Sequence, residues 1–438
     1  MVAGFTKRTS YSAAKILLEL GNTVLVSDTS RDPEKESLLA ELNPLGKTVD
    51  LLGRQDTAIL DEYTVDLILP SPGVPLTIPL IAEARRRGIE VIGDIELFYR
   101  YFPSNTYIAI TGTDGKTTTT TLVHEIIKRE KPALVGGNIG TAIFDLYHQM
   151  QDDTIVTLEL SSFQLEEIED FRPKVSAALN IAADHLDRYE SIEQYMLAKK
   201  GIFRNQTPED IAVLNLDSPY YDALAKGIAP RILTFSRENP KADCYFDGSA
   251  VFYNNEKFVE RAGIALQGIH NVENAMAAIL MAKSAGISES AIRAALAEFE
   301  GLPHRLEFVR ELDGVKYYND SKSTTVNALE KALLSFEAPI IAIAGGRDKG
   351  LDFTLVRDLA RRKLKALVVI GEASEKIAGE MGFPDAYRAK DMEDAVRYAH
   401  DNAVSGEVVV LSPGCASFDM FKNYNERGEV FKSIVRAL

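Results

Sequence analysis

The chain has 438 residues and sets 49 Lys plus Arg against 64 Asp plus Glu, a formal charge of −15. Its 46% hydrophobic and 26% charged residues exclude disordered or collagen-like chains, and its length suggests several domains, each able to bury a core. The acidity argues against binding nucleic acid or anionic membrane, which rewards basic patches, so any anionic substrate must meet local positive charge.

Strands and helices alternate over the first hundred residues. The spacing of apolar residues predicts a helix over 13–20, strands over 23–28 and 66–73, and a helix over 78–88 ended by Gly88. Such alternation implies a parallel sheet. Three residues precede Gly4, which leaves room for a first strand shorter than the usual length of about five. The turn after it, Gly4-Phe5-Thr6-Lys7-Arg8-Thr9-Ser10, carries one glycine where a dinucleotide fingerprint needs three, so NAD binding is disfavoured. Lys7, Arg8 and Thr9 can take over from glycine-loop amides around a diphosphate. Asp28 closes the second strand, where a carboxylate meets a ribose or base, or equally caps the next segment. The turn Phe102–Asn105 then separates this unit from a new strand over 107–111.

The strongest local signal follows that strand: Thr111-Gly112-Thr113-Asp114-Gly115-Lys116-Thr117, opening a helix through residue 130. Backbone amides of such a loop and the helix N-terminus favour phosphate, Lys116 reaches it as a point charge, and the Thr117 hydroxyl suits Mg²⁺. The loop is shorter than the usual Walker A loop. A phosphate loop also needs a carboxylate at a neighbouring strand end for the metal, and the strand predicted over 154–162 supplies Glu159. Taken alone, a carboxylate there is as readily a solvated group. Strands over 175–181 and 211–217 and helices over 271–286 and 291–301 complete the middle region. The last third restarts the pattern with strands over 315–321, 338–346, 365–371 and 407–414. The expectation is an α/β chain of three domains: an N-terminal Rossmann-like domain over 1–103, a central P-loop ATPase-like domain over 104–302 and a C-terminal Rossmann-like domain over 303–438.

Cys244 and Cys415 are too few and too far apart for a disulfide framework or a Cys-based zinc site, which fits a reducing compartment. No apolar run is long enough to span a membrane, and Lys15 and Glu19 interrupt any signal-peptide core, so a cytoplasmic location is expected. His124, His148 and His400 have no catalytic setting and read as structural. Cys415 reads as small packing.

The ordered motifs resemble those of the Mur ligase family, the ATP-dependent amide ligases of peptidoglycan precursor synthesis. They are TGTDGKTTTT, SPGV at 71–74, GGNIG at 136–140, LELSSFQLE at 158–166, ADHLDRY at 183–189 and YMLAKKGIF at 195–203. GIHNVENAMAA at 268–278, GLPHRLE at 301–307, NDSKST at 319–324, GGRDKG at 345–350 and LSPGCASFDMFKNYNERG at 411–428 extend them to the end of the chain. LELSSFQLE narrows the likeness to the branch that adds D-glutamate to UDP-N-acetylmuramoyl-L-alanine. The resemblance implies an acyl phosphate made from ATP, attacked by the amine of D-glutamate, with ADP and phosphate released.

The same resemblance implies the site residues. Gly112, Thr113, Asp114, Gly115, Lys116, Thr117 and Thr118 would hold ATP, together with Asn271, Arg305 and Asp320. Thr117, Glu159, His185 and Lys199 would serve two Mg²⁺ ions, Lys199 after carbamylation by CO₂. Lys116, Glu159, His185 and Lys199 would be the catalytic set. Without the resemblance, Lys199 is a solvated helix lysine, His185 a surface histidine, Asn271 an N-cap, and Arg305 and Asp320 linker and turn residues. UDP-N-acetylmuramoyl-L-alanine would meet Arg8, Thr9, Asp28, Thr29, Ser71, Gly73, Asn138, Ser161 and Gln164. D-Glutamate would meet Lys322, Thr324, Lys349, Ser417, Phe418 and Tyr424. The partners implied are these small molecules, with a monomeric chain. Another ligase of the family is disfavoured by LELSSFQLE and by the missing DNPR motif of the diamino-acid-adding enzyme. A nucleotide-binding regulatory module without catalysis is disfavoured because Lys116, Glu159, His185, Lys199 and Lys322 are all present.

Overall fold

The structure, a computed structural model, describes residues 1–138, 140–182, 184, 188–266, 268–336, 338–348 and 350–438. His185 and Lys349, both named above, lie outside the described residues, as does Asp187 of the ADHLDRY motif. The chain forms two compact units, one of Met1–Gly263 with Glu273–Leu296 and one of Ile264–Val272 with Ala297–Leu438.

The first unit holds two sheets. The first comprises β1 (Val2–Ala3), β2 (Val24–Asp28), β3 (Thr48–Leu52), β4 (Leu67–Pro70) and β5 (Glu90–Val91), in the order β3-β2-β1-β4-β5. All its pairings are parallel, and the order reverses between β1 and β4. At such a reversal the loops leaving the strand ends diverge and open a crevice. β1 is only two residues long, and the helix after it, Thr9–Glu19, begins earlier than its apolar spacing suggests.

The second sheet comprises β6 (Thr106–Thr111), β7 (Ala133–Gly137), β8 (Ile155–Glu159), β9 (Val175–Ala178), β10 (Ile211–Asn215), β11 (Arg231–Ser236), β12 (Cys244–Phe246), β13 (Ala250–Tyr253) and β14 (Glu256–Glu260). Their order is β14-β13-β12-β11-β10-β9-β6-β8-β7, with only the β12–β13 and β13–β14 pairings antiparallel. β6 therefore has β9 on one side and β8 on the other, so the loops after β6 and β8 emerge side by side. One apolar core runs from Val2 and Phe5 through Phe98, Tyr107, Phe144 and Phe171 to Leu214, joining both sheets.

In the second unit, β15 (Glu307–Leu312), β16 (Val315–Asn319), β17 (Ile340–Gly345), β18 (Leu364–Ile370), β19 (Tyr387–Ala389) and β20 (Val408–Leu411) form a sheet in the order β15-β16-β20-β17-β18-β19. Only the β15–β16 hairpin is antiparallel. Its central strands read as continuous apolar runs because helices cover both faces. Among the described residues no helix is long and apolar enough to cross a membrane.

Candidate active site

The loop after β6 is built for an anion. Gly115, immediately before the helix Lys116–Ile127, adopts φ 78°, and a Cβ there would stand 2.3 Å from Asn274 Oδ1, so conformation and space both demand glycine. The amides of Thr113 and Asp114 donate to Asn180 Oδ1 at 3.1 and 2.8 Å, and Thr113 Oγ1 accepts from Ala182 N at 2.9 Å. These bonds lock the loop onto the segment after β9. No side chain caps the helix, which leaves its first-turn amides, with Thr117 and Thr118 among them, to an incoming anion. Lys116 Nζ folds back to the carbonyls of Gly112 and Thr113 at 2.8 and 2.7 Å.

Glu159 ends β8, beside that loop, and is buried. Its Oε1 accepts from Asn138 Nδ2 at 2.8 Å, while Oε2 is buried without a hydrogen-bond partner. Asn138, just after β7, also donates its own amide to Glu159 O at 2.8 Å, so it fixes both ends of the glutamate. An orphaned carboxylate oxygen on the strand beside a phosphate loop fits Mg²⁺, which takes one or two carboxylates and completes its shell with substrate phosphates and water. Among the described residues no group of three or more His, Cys, Asp or Glu could hold a metal alone.

Lys199 lies in the helix Ile192–Lys200, which Ser191 caps, and only 1% of it is exposed. Lys199 is therefore not the solvated helix lysine that it reads as without the resemblance. Its Nζ donates to Gly112 O at 2.8 Å and sits 4.5 Å from the Tyr195 ring centre. Burial, then the charge of Lys116, pull its pKa down to about 7. As an ammonium it cannot ligate a cation. Its neutral amine can add CO₂, which would turn it into an oxygen ligand.

The crevice of the first sheet faces the same strand ends. Arg8 precedes the helix Thr9–Glu19 and donates to Gly137 O at 3.4 Å. Ser71, after β4, donates its hydroxyl to Gly4 O at 2.6 Å, with Gly73 exposed beyond it. Ser161 and Gln164 form a capping box on the helix Ser162–Glu166. Asp28 accepts from Phe5 N at 2.7 Å and pairs with Lys35 at 3.0 Å, so its carboxylate shapes the Gly4–Ser10 turn. It does not cap the next helix: Asp32 does, while Thr29 lies exposed between them.

In the second unit, the end of β17 and the loops after β16 and β20 converge on Arg427, which is 1% exposed. The guanidinium donates to Ser321 Oγ at 3.0 Å, Ser321 O at 2.8 Å, Cys415 O at 3.1 Å, Ala416 O at 3.3 Å and Gly345 O at 3.4 Å. Burial lowers its pKa to about 10. Lys322 and Thr324 follow Ser321, Ser417 and Phe418 follow Ala416, and Tyr424 accepts from Ser321 Oγ through its carbonyl at 2.8 Å. Ser417 is buried, whereas Phe418 is 58% exposed. Asp320 accepts from Leu306 N at 3.1 Å and Ser412 Oγ at 2.9 Å, and burial raises its pKa to about 7. Arg305 sits between His304 and Leu306, both at positive φ, 64° and 43°. Asn271 is not an N-cap, because its helix, Ile269–Ser284, starts two residues before it.

Sequence reasoning passed over Asn180, Asn274 and Arg427. Asn180 lies in none of the motifs above, and Asn274 lies in GIHNVENAMAA, where Asn271 is singled out instead. Arg427 lies in the amphipathic helix Tyr424–Ala437, where an arginine ordinarily faces solvent. Of the three histidines taken as structural, His148 pairs with Glu19 at 2.7 Å, His400 accepts or donates at Tyr317 Oη at 2.8 Å, and His124 is half-buried.

The chain matches the Mur ligase MurD-like N-terminal domain over residues 1–93, the Mur ligase middle domain over 110–282 and the Mur ligase glutamate ligase domain over 304–415. It is 44% identical to the UDP-N-acetylmuramoylalanine–D-glutamate ligase of Geotalea daltonii, with 98% of this chain and 96% of that one covered. The enzyme of the same name from Clostridioides difficile is 40% identical, over 100% and 98%. Among solved structures, MurF from Acinetobacter baumannii superposes with a TM-score of 0.62 at 16% identity, over 97% and 99% of the chains. UDP-N-acetylmuramate–alanine ligase MurC from Thermotoga maritima gives 0.60 at 21% identity, over 100% and 98%.

Proposed function

The chain belongs to the Mur ligase family, and from that membership we propose that it joins D-glutamate to UDP-N-acetylmuramoyl-L-alanine at the expense of ATP. The observation that carries this reading is the full-length likeness to enzymes of that name, together with a phosphate loop set beside an orphaned carboxylate oxygen.

The chemistry follows from the residues. The γ-phosphoryl group of ATP passes to the terminal carboxylate of the UDP-substrate, giving an acyl phosphate and ADP. The amine of D-glutamate attacks the carbonyl carbon, and the tetrahedral intermediate expels phosphate as the amide forms. Transfer between two anions depends on positioning and charge neutralisation. Lys116 and the helix start at Thr117 and Thr118 gather the β- and γ-phosphates, on a loop that Asn180 holds in place. Glu159, Thr117 and carbamylated Lys199 would hold Mg²⁺, with His185 assigned to a second ion on resemblance alone; the metal supplies positive charge to the phosphates. Asn271, Arg305 and Asp320 keep the nucleotide role that the resemblance implies.

In the same reading Arg8, Thr9, Asp28, Thr29, Ser71, Gly73, Asn138, Ser161 and Gln164 contact the UDP-substrate. Lys322, Thr324, Lys349, Ser417, Phe418 and Tyr424 receive D-glutamate. The domains divide at 1–103, 104–302 and 303–438. The supply of ATP and the two free, buried cysteines suit a cytoplasmic protein, and the reaction needs a single chain. Phosphate release with ATP, Mg²⁺ and UDP-N-acetylmuramoyl-L-alanine, screened over D- and L-amino acids, tests the proposal. D-Glutamate-dependent release supports it, and release with a different amino acid alone refutes it.

A further inference from the structure

Two carboxyl groups are buried where the first sheet meets the second, and the chemistry above uses neither. Asp94 opens the helix Asp94–Tyr101 just after β5, and Glu167 follows the helix Ser162–Glu166. They are 2% and 3% exposed. Gly93 N donates to Glu167 O at 3.2 Å, and a Cβ on Gly93 would stand 2.8 Å from Glu167 Oε2, so the Glu167 carboxyl lies against the residue before Asp94. Asp94 Oδ1 and both carboxyl oxygens of Glu167 are buried without a hydrogen-bond partner.

Two ionised carboxylates in such a place would add mutual repulsion to a double loss of hydration. The neighbouring charges do not offset this. Arg8 acts on Asp94 from the first loop, and Gln164 hydrogen-bonds to it from the helix Ser162–Glu166. Arg188 and Arg85 favour the ionised form of Glu167, while Glu166 and Asp94 oppose it. Arg188 is already paired with Glu166 at 2.9 Å. Glu96, next on the helix of Asp94, turns away to Arg100 and to the amides of residues 169–171. Among the described residues no third acidic or histidine ligand makes this a metal site.

We propose that the buried pair Asp94 and Glu167 holds one proton, with Glu167 as its acid, and that Asp94, left as the charged member, positions Gln164 and Arg8 for the sugar-nucleotide substrate. The positioning role rests on the ligase reading; the shared proton does not. Burial, then the charge of Asp94, hold Glu167 well above the usual carboxylate range, and burial holds Asp94 at about 6. Both pKa values are raised by folding. Their contribution to stability is therefore complete below the ordinary carboxylate range and is lost as pH rises through the raised values.

Glu167→Gln keeps a donor that cannot titrate. In infrared difference spectra near neutral pH, Glu167→Gln should lose one buried protonated-carboxyl carbonyl band that the wild type carries, while any band from Asp320 stays in both. Between about pH 6 and about pH 9 the wild type should lose more thermal stability than Glu167→Gln, and its KM for UDP-N-acetylmuramoyl-L-alanine should rise about threefold or more while that of the variant stays flat. Asp94→Asn removes the neighbouring charge, so the Glu167 band should vanish at lower pH than in the wild type. A difference spectrum with no band lost in Glu167→Gln, or identical pH profiles of stability and KM in both proteins, would overturn the proposal. A wild type without D-glutamate-dependent phosphate release refutes the ligase reading, while the band and the melting curves still decide the shared proton.

Discussion

Lys116 and Lys199 aim at one acceptor: each ammonium nitrogen lies 2.8 Å from the carbonyl oxygen of Gly112. Two cations on one neutral oxygen repel, and the more buried of them gives up its proton more readily. Lys199, at about 7, is that one. The pair thus separates two tasks that a lysine can perform. Lys116 sits on the phosphate loop to meet phosphate, and Lys199 offers a neutral amine to CO₂.

The lowered pKa of Lys199 fixes the sign of a stability effect. An unfolded lysine titrates near 10.4, so the folded protein resists protonation there, and stability falls as pH drops from about 10 through 7. Lys199→Met removes that penalty together with the function. Activity should fall about 100-fold or more. Stability near pH 6.5 should exceed that of the wild type by about 0.5–2 kcal/mol, the gain shrinking as pH rises. Thermal melts at low and high pH check this, and equal destabilisation at both would count against it.

Asn138 holds Glu159 by its side-chain oxygen and its backbone carbonyl, leaving Oε2 as the open ligand. Residues that orient a ligand typically contribute 10–100-fold to metal affinity. Asn138→Ala should therefore raise the Mg²⁺ concentration for half-maximal activity by about that factor, with a smaller change in KM for D-glutamate. A Mg²⁺ titration of initial rates decides it: unchanged half-saturation would remove the metal role of Glu159.

Gly115→Ala tests the phosphate loop. The new Cβ would meet Asn274 Oδ1 at 2.3 Å in a left-handed backbone. Strain of this kind costs about 1–3 kcal/mol, and here the clash adds to it. The melting temperature should fall, and KM for ATP should rise more than KM for D-glutamate.

What the sequence shows and hides follows from range. Motifs that act through contiguous backbone, such as Gly112–Thr117 after a strand, are legible because strand, loop and helix are local. The parallel pattern of the first sheet is legible for the same reason, whereas β7 and the strands from Arg231 to Glu260, two of whose pairings are antiparallel, carry no such alternation with helices. The burial of Lys199 is not, since it depends on β6, some 87 positions away, reaching its helix. Asp94 and Glu167 are hidden likewise: each resembles an exposed helix-end carboxylate until the fold brings two sheets together around them. The helix at Ile269 starts ahead of its apolar spacing because His270 and Asn271 carry no such signal.

Arg427 gives the sharpest test of the second unit. Its guanidinium hydrogen-bonds to the Ser321 hydroxyl and to carbonyls at the end of β17 and in the loops after β16 and β20, all neutral oxygens. Its hydrogen bonds go to dipoles while the charge of Asp419 acts on it through space, so the arginine sets a positive charge beneath Ser321–Thr324 and Ala416–Phe418, which suits a dicarboxylate amino acid on a chain of charge −15. Lysine keeps the charge but presents one nitrogen with three protons, so it cannot serve five acceptors spread across a planar fork. Arg427→Lys should lose about 2–4 kcal/mol of stability and raise KM for D-glutamate about tenfold. Its KM for UDP-N-acetylmuramoyl-L-alanine should hold, because the loops that contact that substrate in the proposed function belong to the first unit. Arg427→Gln, which also loses the charge, should raise the D-glutamate KM further. If both variants fold and bind D-glutamate as the wild type does, the loops hold their shape without the arginine, and its charge has no part in recognising the acid.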